Sequence, residues 1–203
     1  MNLPNTLSLL RIVLAPVFLF LLLSDSPVYV FLSFLVYTLA ALTDWYDGRY
    51  ARKYGFKTIW GQFLDPLADK ILTSSAFVGF YLLNRKDPEF FGSSEIIPVG
   101  YLAAIIIIRD IVLTAARSVQ ELRGKQFRTS MVSKTKTFAQ MTFIFLIIGS
   151  LALASLFQNT ALNAFLISYL HSIINYYLLL LITILTVASG AAYIFESKPE
   201  QNI

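Results

Sequence analysis

Long apolar runs separated by short polar segments dominate the chain. A helix needs about 20 apolar residues to cross the hydrocarbon core of a bilayer, within a range of roughly 17 to 25. Continuous apolarity without alternation favours helices over barrel strands. Each of six runs predicts a membrane-spanning helix. They are Thr6–Leu23, Val28–Thr43, Phe63–Leu83, Ile96–Thr114, Thr135–Phe157 and Ile173–Phe195. The predicted fold is therefore an all-α integral membrane protein with six transmembrane helices, in one domain over residues 1–203.

The polar segments between these runs differ in charge. The segments after the second and fourth runs are basic. In the segments after the first, third and fifth runs, the only lysine and arginine residues are Arg85 and Lys86. Because lysine and arginine accumulate in cytoplasmic loops, both basic segments and both termini are predicted to be cytoplasmic. The first run has no small-residue cleavage site after it, which predicts a retained span rather than a signal peptide. The residues from Asn84 to Ser94 are predicted to form a polar outer loop.

Composition supports insertion into a membrane. The 203 residues are 57% hydrophobic and only 14% charged, whereas a soluble domain carries about 25% charged residues. The chain has no cysteine, which excludes disulfides and thiolate metal sites. A net charge of +4 is compatible with nucleic-acid binding, but the placement of the cations in alternate segments favours the membrane interface instead.

The candidate chemistry lies in one segment at the predicted cytoplasmic ends of spans two and three. Four of the twelve acidic residues fall within 26 positions, namely Asp44, Asp47, Asp65 and Asp69. On helices the first two share one face, and the last two, four residues apart, share another. Small residues at Gly48, Ala51 and Gly61 allow close approach of a ligand or helix. Pro66 either starts a helix with Asp65 as its N-cap or interrupts a continuing helix.

Four ionised carboxylates beside a membrane need positive partners. In one interpretation they pair with neighbouring lysines and arginines in a solvated loop. Their regular spacing favours a metal site, because carboxylate oxygens are the usual ligands of Mg²⁺ and Mn²⁺. Two divalent cations would balance the four carboxylates. Paired metals also assist displacement at phosphorus, where they stabilise the attacking and leaving oxygens.

The spacing D-x-x-D-G-x-x-A-R-x8-G-x-x-x-D-x-x-x-D, from Asp44 to Asp69, resembles the CDP-alcohol phosphatidyltransferase family at every fixed position. The resemblance implies a six-helix membrane fold, a homodimer, and transfer of a phosphatidyl group from CDP-diacylglycerol to an alcohol. It implies that Asp44, Asp47 and Asp65 bind two metals, and that Asp69 contributes to metal binding and acts as the base. It assigns contacts with the CDP moiety to Gly48, Ala51, Arg52 and Gly61.

The N-terminal run from Asn2 to Arg11 and the run Leu64–Lys70 resemble bacterial members of the family whose acceptor is glycerol-3-phosphate. The pair Arg109-Asp110 does so too, although glutamate is usual at the second position. A phosphorylated acceptor needs cations near the metals. Arg117, Lys134 and Lys136 flank the predicted cytoplasmic ends of spans four and five, and are candidates to bind that phosphate. Alternatively, these three cations only contact lipid headgroups.

Three other charged positions are predicted to be structural. Arg109 lies deeper in its span and is expected to pair with Asp110. His171 is expected near the outer end of the last span, far from the aspartates. Arg11 is expected to extend its side chain to the cytoplasmic interface.

Two further hypotheses stay open. The enzyme could use another acceptor of the same family, making cardiolipin or a phosphatidylinositol phosphate. A different class is a cation channel or transporter whose carboxylates line an ion path. The carboxylates cluster at one end of the spans, whereas an ion path would continue across the bilayer. This favours an enzyme over a channel or transporter. The expected location is the cell (inner) membrane of a bacterium.

Overall fold

The structure is a computed structural model that describes residues 3–54, 59–92, 96–122 and 131–196. Within those ranges the side chains of 3–5, 44–54, 59–64, 121–122, 132 and 192–196 lie outside the description. Over the described residues the chain is helical and contains no strand. The helices are α1 Leu3–Leu22, α2 Pro27–Tyr54, α3 Ile59–Lys86, α4 Val99–Leu122, α5 Met131–Leu156, α6 Ala161–Leu170 and α7 Ile173–Glu196.

Six of these helices pack in a closed ring. The order around the ring is α1, α2, α5, α7, α4, α3 and back to α1, and the short α6 packs on α5. Aromatic side chains fill the space where the helices meet. Phe80 on α3 makes edge contacts with Phe143 on α5 and with Phe91, at ring distances of 5.9 and 6.1 Å. Phe18 on α1 packs on Tyr37 of α2 at 5.1 Å.

The outer faces of the ring are apolar. Many large apolar side chains are exposed, and Phe20 and Phe138 are each 74% exposed. An apolar surface of this extent is unfavourable in water and is typical of a membrane interaction. Three helical segments of the described chain are long and apolar enough to cross a membrane, namely Val99–Gln120, Ser133–Leu156 and Ile173–Ala191. Shorter apolar segments are Thr6–Leu22, Pro27–Thr43 and Ala161–Leu170. The chain therefore has the build of an all-helical membrane protein, with three long candidate spans.

The helix limits differ from the sequence prediction in informative ways. Helix α2 continues eleven residues beyond the predicted end at Thr43, since its bound is Tyr54. Helix α3 begins before its apolar part and includes Pro66, so the alternative of a helix starting at Asp65 is wrong. Its N-terminal half carries Asp65, Asp69 and Lys70, which explains why α3 is not among the long apolar segments.

Two connections were also predicted incompletely. Helix α6 was not anticipated. Its N-cap is Thr160, whose side chain accepts a hydrogen bond from the backbone N–H of Asn163. The expected polar outer loop is partly apolar, because Phe90 and Phe91 are buried against the aromatic core. These two rings close one end of the bundle between α3 and α4.

Candidate active site

Asp65 and Asp69 lie four residues apart on α3, both half-buried. Ser8 on α1 donates a hydrogen bond from Oγ to Oδ1 of Asp65. Lys70 places Nζ 2.9 Å from Oδ2 of Asp69. These contacts hold one carboxylate through a neighbouring helix and the other through a cation, so both side chains are oriented before any ligand arrives.

The other predicted members of this site are only partly within the description. Helix α2 includes positions 44–54 and α3 includes position 61, but their side chains lie outside the described residues. This applies to Asp44, Asp47, Gly48, Ala51, Arg52 and Gly61. Their predicted roles in binding metal and CDP stay predictions.

A basic pocket adjoins Asp69. It is a cavity of about 380 Å³ between α3, α4 and α5. Its charged lining consists of Lys70, Arg109, Arg117, Lys134 and Lys136. Thr114, Ser133 and Thr137 add hydroxyl groups to the lining, which can donate to or accept from a bound anion. All three cations predicted for the acceptor phosphate therefore line one cavity, together with two that were not assigned to it.

A buried polar network lies beside this pocket. Asp110 is only 3% exposed and accepts hydrogen bonds from Nζ of Lys136 at 2.5 and 2.7 Å. Arg109 donates to Asp110 at 3.0 Å and to Oγ of Ser189 on α7 at 2.7 Å. The predicted pairing of Arg109 with Asp110 is confirmed. Lys136 differs from expectation in one respect, since its ammonium is bonded to a carboxylate as well as lining the pocket.

Arg11 was expected at the membrane interface, and this is wrong. Its side chain is fully buried at 0% exposure, and Nη2 donates to Oγ of Ser8 at 3.5 Å. Ser8 in turn donates to Asp65, so a polar cluster inside the bundle replaces the water that a snorkelling arginine would seek. Sequence reasoning missed Ser8 and the pocket position of Lys70. The adjacency of Lys70 to Asp69 was the available signal for the second.

The candidate site lies at one end of the bundle and His171 at the other. The N-terminal parts of α1 and α3 meet through Ser8 and Asp65. At the opposite end, just after the C-terminus of α3, Asp87 contacts His171 with 2.8 Å between Oδ2 and Nε2. From Asp69 to the end of α3 the helix rises about 25 Å. His171 is therefore remote from the carboxylates, as expected, and its contacts are structural.

His171 is held by two acceptors. Its Nδ1 lies 2.8 Å from the carbonyl oxygen of Ile167, and its Nε2 faces Asp87. Partial burial opposes the charged form. The bond to Asp87, the carbonyl contact and the negative charges of Asp87 and Glu89 outweigh it, so the pKa of His171 is raised.

Asp65 and Asp69 have the donor chemistry that a hard divalent cation requires. Their carboxylate oxygens lie on one helix face, and Ser8 supplies an outer hydrogen bond to one of them, as is usual around metal ligands. These two carboxylates are the ligand type that Mg²⁺ or Mn²⁺ prefers, although no group of three or more such ligands occurs among the described residues.

A helical membrane build and a carboxylate pair beside a basic pocket are features expected of a membrane enzyme that acts on phosphorylated substrates. Residues 1–188 match the family CDP-alcohol phosphatidyltransferase, and the chain belongs to that family. This decides between the enzyme and the ion channel in favour of the enzyme.

Several similar proteins are named CDP-diacylglycerol–glycerol-3-phosphate 3-phosphatidyltransferase. One from Wigglesworthia glossinidia brevipalpis is 37% identical over 166 residues, covering 75% of this chain and 85% of its own. One from Bacillus subtilis is 34% identical over 152 residues, covering 69% and 72%. One from Escherichia coli K12 is 36% identical over 145 residues, also covering 69% and 72%.

Proposed function

We propose that this enzyme transfers the phosphatidyl group of CDP-diacylglycerol to glycerol-3-phosphate, giving phosphatidylglycerophosphate and CMP. One observation carries the proposal. Lys70 contacts Asp69 at 2.9 Å and also lines the basic pocket, so a carboxylate suited to deprotonate an alcohol adjoins a cavity suited to a phosphate. The names of the similar proteins agree with this donor and this acceptor.

The reaction follows from this adjacency. The acceptor phosphate is bound by the cations of the pocket, chiefly Arg117 and Lys134, with Lys136 beside them. Its hydroxyl group then points toward Asp69, which removes the proton as general base. The resulting oxygen forms a bond to the phosphorus that carries diacylglycerol. The bond from that phosphorus to the CMP oxygen breaks, and CMP leaves with the electron pair.

Divalent cations complete the proposed site. Asp44, Asp47, Asp65 and Asp69 would hold two ions of Mg²⁺ or Mn²⁺, and Gly48, Ala51, Arg52 and Gly61 would contact the CDP moiety. When bound, such ions supply charge stabilisation to the pyrophosphate oxygens and the departing CMP.

The pocket charge favours a phosphorylated acceptor over phosphatidylglycerol. Among the described residues, five cationic side chains line the pocket, and Asp110 compensates part of this charge from beside it. A phosphate monoester brings about two negative charges and matches the excess. Phosphatidylglycerol brings a single negative charge and two acyl chains, which makes it a poorer match for a polar cavity of about 380 Å³. An inositol phosphate shares the monoester but is bulkier.

The decisive experiment measures CMP release from CDP-diacylglycerol by the purified protein with one acceptor at a time. The acceptors are glycerol-3-phosphate, glycerol, inositol phosphate and phosphatidylglycerol. We expect the highest kcat/KM with glycerol-3-phosphate and very little with glycerol, which lacks the phosphate. Highest release with phosphatidylglycerol would instead make the protein a cardiolipin-forming member of the family.

We further propose six membrane spans in a bacterial inner membrane, with the active site and both termini cytoplasmic, and a homodimeric assembly. The distribution of basic segments supports the orientation. Because the chain has no cysteine, single cysteines at Thr135 and Asn159 test it directly. In intact cells a membrane-impermeant thiol reagent should label the second position only, and labelling of the first would reverse the orientation. Cross-linking in membranes tests the dimer.

A further inference from the structure

Asp110 is the central acceptor of the buried network beside the basic pocket. Its two carboxylate oxygens accept hydrogen bonds from Lys136 and Arg109, and from Nε2 of Gln140 at 3.3 Å. These donors come from two different helices, because Lys136 and Gln140 lie on α5 while Arg109 lies on α4. A single carboxylate therefore ties the two walls of the pocket together.

The two cations that Asp110 binds are also pocket-lining residues. Lys136 is 2% exposed, so its ammonium depends on Asp110 for a counter-charge inside the protein. Arg109 is fixed on its other side by Ser189 of α7. The positions of both cations are thus set from the protein side of the pocket.

Helix α7 is built to leave room for this arrangement. A methyl group added to Gly190 would lie 3.1 Å from Nε of Arg109 and 3.6 Å from its Cγ. Such a contact is tighter than ordinary packing, so the glycine allows the arginine stem to pass close to α7. Gln140 adds a second tie to α7, since its Nε2 lies 3.4 Å from Oγ1 of Thr186.

We propose that Asp110 is a positioning residue for the acceptor phosphate, acting through Lys136 and Arg109. It holds the two cations at fixed places in the pocket wall and supplies the counter-charge that compensates them when the pocket is empty. This inference rests on the proposed function, because the anion it serves is the phosphate of the acceptor. Asp110 itself does not line the pocket and needs no contact with substrate.

Asp110→Asn tests the proposal, because the amide keeps the shape of the side chain and removes its charge. The lone ammonium of Lys136 must then reorient or lose its proton. We expect the KM and the directly measured Kd for glycerol-3-phosphate to rise about tenfold, the change for one lost charge-assisted contact. The KM for CDP-diacylglycerol should stay within about twofold, since no described contact of Asp110 reaches Asp65 or Asp69. Thr186→Val is the matched control, because it weakens the same network without touching a pocket cation.

A purely structural role gives a different result. Asp110→Asn would then lower the unfolding temperature and leave the Kd for glycerol-3-phosphate unchanged, or change the KM of both substrates equally. Either result overturns the proposal. If this variant does not fold, Lys136→Met is compared with the double variant Asp110→Asn, Lys136→Met, in which no buried ammonium is left alone. The double variant should bind the acceptor several-fold more weakly because Arg109 has lost its carboxylate, and equal binding overturns the proposal.

Binding of inorganic phosphate separates this inference from the proposed function. It is measured as thermal stabilisation of the full-length protein without CDP-diacylglycerol. Wild-type protein that binds phosphate but releases no CMP with glycerol-3-phosphate would overturn the proposed function, while weaker phosphate binding by Asp110→Asn would still support the positioning role. If wild-type protein releases CMP normally and Asp110→Asn binds phosphate as tightly as wild type, the positioning role alone is overturned.

Discussion

Nζ of Lys70 lies 2.9 Å from Oδ2 of Asp69, and the same lysine side chain lines the basic pocket. The two side chains are only 14% and 21% exposed, so the contact is more than a surface ion pair. One residue thus connects the carboxylate face of α3 with the cationic cavity between α3, α4 and α5. The proposed chemistry depends on this adjacency, since an acceptor bound by its phosphate must present its hydroxyl group to a base.

Replacing Asp69 by asparagine tests the base directly. Asp69→Asn should lower kcat by about 100-fold or more, because general-base catalysis contributes roughly that factor. Binding of CDP-diacylglycerol should persist, since Asp65 and the α2 aspartates are unchanged. The measurement pairs CMP release with equilibrium binding of the donor. Wild-type turnover by this variant would remove Asp69 from the mechanism.

Arg117 is predicted to bind the acceptor rather than the donor. Arg117→Ala should raise the KM for glycerol-3-phosphate by about tenfold or more, because a guanidinium–phosphate contact is among the stronger hydrogen bonds. The KM for CDP-diacylglycerol should change much less. Arg85→Ala is a suitable control, since Arg85 lies in the last turn of α3 at the opposite end of the bundle. Equal effects of Arg117→Ala on both substrates would indicate a folding defect or a shared role.

Chelation tests the requirement for divalent cations. A strong chelator should abolish CMP release, and added Mg²⁺ or Mn²⁺ should restore it, because the proposed ligand set consists of hard carboxylate oxygens. Helical content followed by circular dichroism should hardly change, which would separate metal-dependent chemistry from metal-dependent folding. Full turnover in excess chelator would contradict the proposed site.

Sequence reasoning reached the family, the helical membrane build and the location of the basic pocket. The pocket was predictable because Arg117 and Lys134 lie near the ends of two apolar runs that one basic segment joins, which predicts that both cations lie on the same side of the membrane. The number of long apolar helices could not be predicted from the apolar runs. Helix α3 carries charges in its first half, and α6 interrupts the apolar C-terminal region. Apolar length alone does not distinguish a crossing helix from one that packs along its neighbours.

Side-chain placement inside the bundle was the least predictable feature. Arg11 looked like an interfacial arginine, yet it is buried because Ser8 and Asp65 form a polar cluster within reach. Lys136 was predicted to bind the acceptor phosphate or lipid headgroups, yet its ammonium is also bonded to Asp110 at 2.5 Å. Both outcomes depend on contacts between helices far apart in sequence, which no local pattern records.

The pair formed by His171 and Asp87 gives a pH dependence that is independent of catalysis. Nδ1 of His171 faces a carbonyl oxygen and Nε2 faces a carboxylate, so only the protonated ring donates to both. Its raised pKa means that the folded protein binds this proton more tightly than the unfolded chain, whose histidine titrates near about 6.5. The stabilisation is therefore fully present below about pH 6.5 and is lost as the pH rises through the higher folded value.

We accordingly expect His171→Gln to lower the apparent unfolding temperature at pH 5.5 and to matter much less at pH 9. The pair is partly exposed, so its contribution to the free energy of unfolding should be at most about 1 kcal/mol. Asp87→Asn removes the main partner of His171. In that background, the effect of His171→Gln on the unfolding temperature should depend less on pH. CMP release should be unchanged in both variants, because the pair lies at the end of the bundle away from Asp69. A stability difference that grows with pH would mean that His171 is held as the neutral ring.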